Sequence, residues 1–323
     1  MKKRVMSGAI VFLVMVLMIA SRLITPYIFD IVILIAGTVG VLEVVKALSN
    51  KGRVVNENMA STFMFVSYVG VIFAIMNKGT LLQLLLYFGC MLVAYFLISL
   101  VLALSFKDVT KTEMIRSNYI GSYKKYVISK AFRSVFVMIY PALLFVVLIL
   151  LNHIEAFFVS PTVAGDEKVK LLETIAIFVD FVVIATFVSA TFTDTFAMLI
   201  GSKVKGPKLC PKISPNKTIS GAVGGLVMGI IGVLGIYMLY SLDAGFINII
   251  TKLGITWLPI VAMAVLTPIF TQVGDIIASI IKRKSGIKDY GKFIPGHGGI
   301  MDRVDGLIFA GLCSFVITLI CIF

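Results

Sequence analysis

The chain has 323 residues, 59% of them hydrophobic and 14% charged, with a mean hydropathy of +1.06. Soluble domains hold about 45–50% apolar and about 25% charged residues, so a soluble globule is excluded, as are a disordered chain, a collagen and a disulfide scaffold. Yet 29 Lys and Arg stand against 16 Asp and Glu, a net charge of +13, which points to an integral membrane protein with a basic surface.

A spanning helix needs ~20 mainly apolar residues to cross a ~30 Å hydrocarbon core. In chain order, spans are predicted over 5–21, 24–45, 58–77, 79–106, 134–154, 172–201, 218–242, 253–274 and 306–323. The second carries Asp30 and Glu43, and the sixth carries Asp180 and Asp194. Lys2-Lys3-Arg4 ahead of the first run looks like the start of a signal peptide, but Met18-Ile19-Ala20 is a poor cleavage site, so a retained span is expected. The alternation of a membrane barrel is absent. The expected fold is an all-α polytopic membrane protein with about nine transmembrane helices.

With the N-terminus in the cytoplasm, 24 of the 29 cations fall on the cytoplasmic side and 5 outside. That split is a positive-inside signal and sets the expected orientation. Two regions are expected. Residues 1–133 form an N-terminal membrane region of four spans ending in a basic connection. Residues 134–323 form a C-terminal catalytic region with two basic cytoplasmic loops. The connection, 107–133, mixes seven Lys and Arg with Tyr119, Tyr123 and Tyr126. It reads either as a topological marker or as an interfacial helix that gathers anionic lipid. Cys90, Cys210, Cys313 and Cys321 have no metal or redox spacing.

Carboxylates inside a bilayer are expensive, so each is a functional hypothesis. Asp275 lies near the end of the eighth span, with Gln272 at i−3, Ser279 at i+4 and Lys282 at i+7 on one helical stripe. The stripe enters a loop rich in cations and glycines: Lys282, Arg283, Lys284, Lys288 and Lys292, then Gly296-His297-Gly298-Gly299, then Asp302-Arg303-Val304-Asp305. Glycines let backbone N–H groups approach phosphate oxygens, and cations neutralise them. Carboxylates facing phosphates call for a divalent cation such as Mg²⁺. For single residues the plain alternatives are a helix cap at Asp302, a first-turn charge at Asp305 and topology for the cations. A second polar set joins Asp194 to the loop 202–218, which has five lysines and no acid.

The run Gln272-Val273-Gly274-Asp275, Ser279, Lys282-Arg283, Lys288-Asp289, Pro295-Gly296-His297-Gly298-Gly299 and Asp302-Arg303-Val304-Asp305 closely resembles the signature of CDP-diacylglycerol synthases, the phosphatidate cytidylyltransferases. Lys212-Ile213-Ser214-Pro215-Asn216-Lys217-Thr218 with Gly224-Gly225 resembles the second motif of that family, and Asp194-Thr195 with Ala197 and Gly201 resembles a third. Lys3-Arg4 and Glu43 also fit. Ser220 stands where the family usually has Glu, and Phe196 and Met198 replace the usual Gly and Tyr.

The resemblance implies transfer of CMP from CTP to phosphatidic acid at the cytoplasmic face of the cell membrane, with Mg²⁺ and room for a second metal ion. It implies membrane lipid as partner, no nucleic acid, and a homodimer. Asp275 and Asp302 are expected to hold metal, with Asp194 supporting. Lys282, Arg283, Lys288, His297 and Arg303 are expected on phosphates, with Ser279 beside them and Gly298 and Gly299 as backbone donors. Ser214, Lys217 and Thr218 are expected to close the site. The alternatives are cytidylylation of another lipid phosphate and a cation-coupled transporter that uses Asp180, Asp194 and Asp275.

Overall fold

The computed structural model describes residues 13, 16–22, 24–50, 52–77, 79–157, 166–291 and 298–322, with backbone only at 166–174 and 322. Most of the expected first span, and His297, lie outside these residues. Among the described residues, eight helices are long and apolar enough to cross a membrane. The protein is an all-α polytopic membrane protein whose described sheet is one two-stranded hairpin. The chain divides into two compact units, Met1–Val146 with Ile281–Arg303, and Val147–Ile280 with Val304–Phe323. The loop near the C-terminus thus groups with the first helices.

In the first unit, α1 (Pro26–Ser49), α2 (Glu57–Met76) and α3 (Leu81–Ser105) are spans joined by short turns. Proline at the first position of α1 forfeits no intrahelical bond, and the Thr25 hydroxyl accepts from the Tyr27 N–H. Thr80 and Gln83 form a reciprocal cap on α3. The core is filled by Phe29, Phe63, Met64, Tyr126, Met138 and Phe145, all fully buried. Gly37 admits them: a Cβ there would stand 2.6 Å from Met64 Cε and 2.9 Å from Phe145 Cγ.

The short polar helix α4 (Lys107–Arg116) follows α3, and α5 (Tyr123–Val137) runs through a π-helical turn at Met138–Leu143 into α6 (Leu144–Asn152). The apolar stretch expected over 134–154 therefore belongs to a longer span, Tyr123–Asn152. Its first two turns carry Lys124, Lys125 and Lys130, which charge counting had placed in a surface connection. Lys130 is buried and pairs with Glu113 of α4 at 2.6 Å, which compensates the charge.

In the second unit, α7 (Asp166–Val204) and α8 (Ile219–Tyr240) pack with backbones in near contact. Gly221 and Gly225 lie one turn apart, and a Cβ at either would stand 2.6 Å from Ala197 O or 2.7 Å from Thr193 O. Small residues at this spacing are how membrane helices approach closely. Between the two helices the chain forms a hairpin of β1 (Lys208–Cys210) and β2 (Ser214–Thr218). Lys205 and Gly206, both at positive φ, turn the chain out of α7. The unit continues with α9 (Ala244–Lys252), the span α10 (Trp257–Lys284) and the last span α11 (Met301–Ile322). Phe246 of α9 docks among Phe181, Tyr237 and Tyr240 with centroids 5.2–6.2 Å apart. Buried hydroxyls pair across helices, Thr186 with Ser314 at 2.6 Å and Ser189 with Thr267 at 2.8 Å.

Candidate functional site

In the second unit, β2 and α10 bring Lys217 to Asp275, with Nζ 2.5 Å from Oδ2. Ser279, one turn on, sets its hydroxyl 3.5 Å from Asp275 Oδ1. The Asp275 side chain is 31% exposed, so this carboxylate keeps open capacity. Thr218 is buried and employed as the cap of α8, accepting from the Gly221 N–H at 3.1 Å. The Ser220 hydroxyl donates to the carbonyl of Lys205 and bridges to Thr218 Oγ1, so it ties the end of α7 to the start of α8. Ser214 opens β2, paired with Cys210. Asp194 is exposed on α7, and its Oδ2 lies 3.5 Å from where a Cβ on Gly306 would stand. Gln272 reaches α8 by donating to Ala222 O at 3.0 Å.

In the first unit, the loop after α10 is organised around Asp302. Lys282 Nζ lies 2.8 Å from its Oδ1. The N–H groups of Tyr290 and Gly299 donate to its Oδ2 at 2.8 and 2.9 Å. The Asp302 side chain is 4% exposed, so three donors are what make its ionised form tolerable. Lys282 also lies over the Tyr290 ring, 5.3 Å from the centroid. Gly298 has φ +86° and faces the Asp302 carboxylate. Arg283, Lys288 and Arg303 are exposed, and Arg283 donates to Ile287 O.

Glu43 is the residue that motif spacing undervalues. From the C-terminal third of α1 it is buried, and it accepts from the N–H groups of Ile300 and Met301 at 3.1 and 2.8 Å. It thereby caps α11 from another helix. Its oxygens occupy the space that a Cβ on Gly291 or Gly299 would need. The available signal was a lone acid inside an apolar span, which requires donors somewhere. Asp30, fully buried, and Asp180 both engage partners.

Among the described residues, no three His, Cys, Asp or Glu side chains gather as a metal site. The donors present differ in fitness for a hard cation. Asp275 and Asp194 offer accessible carboxylates, the oxygen type that Mg²⁺ prefers. Both oxygens of Asp302 are in use, and a cation would take Oδ1 only if Lys282 left it.

A family model described as the cytidylyltransferase family matches residues 2–321. A phosphatidate cytidylyltransferase of Brucella abortus (strain 2308) is 39% identical over 124 residues, 38% of this chain and 42% of that protein. One from Staphylococcus aureus (strain N315) is 41% identical over 127 residues, 39% of this chain and 45% of that protein. The aligned stretch thus spans less than half the length of either relative.

Proposed function

The chain belongs to the cytidylyltransferase family, and on that premise we propose that it transfers CMP from CTP to phosphatidic acid in the cell membrane, with the reacting groups on the cytoplasmic side. A phosphate oxygen of phosphatidate forms the new bond to the α-phosphorus of CTP. The bond from that phosphorus to the β-phosphate bridge breaks, and pyrophosphate leaves with the electron pair. The lipid phosphate is already ionised at neutral pH, so the protein's work is positioning and charge neutralisation.

The observation that carries this reading is the pair of lysine–carboxylate bridges, Lys217–Asp275 and Lys282–Asp302. Each holds an ammonium group ready for a phosphate oxygen, with a carboxylate as counter-ion until the anion arrives. Asp275, with Asp194 in support, would hold Mg²⁺, which supplies charge neutralisation on the triphosphate when bound. Asp302 keeps the Gly298–Gly299 turn in shape, and Lys288, Arg283 and Arg303 present further positive charge at the surface.

The test is turnover of labelled CTP by the purified, reconstituted protein with phosphatidate and Mg²⁺. Formation of CDP-lipid is expected, and its absence from folded protein overturns the assignment. Asp275→Asn should lower kcat by about a hundredfold or more, the usual scale for one electrostatic group in such a site. Unchanged turnover would remove Asp275 from the metal role.

A further inference from the structure

A cavity lies in the first unit. It measures about 650 Å³, and its walls are the turn after α1 and the end of α4 with the turn that follows. Asn50 and Gly52 supply one wall, and Glu113, Arg116, Ser117 and Asn118 the other. Gly52, at φ +68°, lies against the carbonyl of Ser117, where a Cβ would collide, so the two turns are locked together. Asn118 also sits in the left-handed region, at φ +51°. The walls are therefore built, not incidental gaps between loops.

The charged residues of the lining are one carboxylate and one cation, Glu113 and Arg116. Its single carboxylate, Glu113, is already matched by Lys130. Arg116 makes no ion pair among the described residues. Arg53 follows lining residue Gly52 in the chain. On α5, outside the lining, Arg133 donates from Nε to Ser129 O at 3.0 Å and keeps a buried Nη2 without a hydrogen-bond partner. An arginine without an ion pair on the wall of such a cavity calls for an anion with several acceptor oxygens. Ile115 and Ile120, which flank Arg116 in the sequence, are 75% and 98% exposed. That combination suits a group whose head is anionic and whose tail stays in lipid.

We propose that this cavity binds a phosphate group, with Arg116 as its principal side-chain ligand, separately from the residues assigned to cytidylyl transfer. The phosphate comes either from a lipid headgroup whose chains leave past Ile115 and Ile120, or from free phosphate. Amide hydrogen exchange on the full reconstituted chain tests this with two probes, short-chain phosphatidylglycerol and inorganic phosphate. Slowed exchange is expected over 49–54 and 113–118. Arg116→Glu should shift the half-saturating probe concentration upward about tenfold, the scale of one charge-assisted contact, with the melting temperature held. Protection by the lipid alone supports the proposal and names a headgroup as source; protection by both supports it and shows that the phosphate suffices. No protection over these segments with either probe, or protection unchanged in Arg116→Glu, overturns it.

Discussion

At the scale of single residues, carboxylates do different work according to what donates to them. Asp275 is accessible and pairs with one lysine, whereas Asp302 and Glu43 are sequestered and accept backbone N–H groups. Glu43→Ala would leave the Ile300 and Met301 amides unsatisfied at a cost of about 1–3 kcal/mol each. A lowered melting temperature in detergent and a loss of turnover are expected. Gly299→Ala should be as damaging, since its methyl would enter the Glu43 carboxylate. In a Glu43→Ala background the same glycine change should cost less, and a double-mutant cycle measures that coupling. Simple additivity would separate the two residues. The sequence made Asp275, Asp302 and the lysines visible because polar groups stand out against an apolar chain. It hid Glu43's task, because hydrogen bonding to a loop 257 residues away leaves no local trace.

At the scale of elements, length and hydropathy located the described spans within a few residues, except where basic residues continue a helix. Lys124, Lys125 and Lys130 made the start of α5 read as a connection, yet Ser122 caps that helix and accepts from the Lys125 N–H. The hairpin of β1 and β2 was also illegible, since strands of three and five residues give no periodic signal. The α7–α8 pair yields an element-level prediction. Gly225→Leu would drive α8 off α7 and should destabilise by about 3 kcal/mol, with steric overpacking as the cause. Gly235→Ala on the same helix meets nothing within 4 Å and should melt at or above the parent temperature. Equal effects at the two positions would refute close packing as the reason for Gly225.

For the whole molecule, the distribution of cations makes a topological prediction that the native Cys210 can report. It lies in the hairpin, partly exposed, within the lysine-rich segment. A membrane-impermeant maleimide should label Cys210 only after the cells are permeabilised; labelling in intact cells would reverse the orientation. The contact between Glu43 and the amides of Ile300 and Met301 has a further consequence, which concerns synthesis. Chains emerge from the ribosome N-terminal end first, so α1 enters the membrane long before its partner loop exists. For most of translation the Glu43 carboxylate must wait without those two donors, and closing so distant a contact is intrinsically slow. The glycine loop consequently takes its shape only in chains extended past Met301. A prematurely terminated product could insert several helices and still carry no organised Asp302 turn, so unfinished molecules are silent by construction.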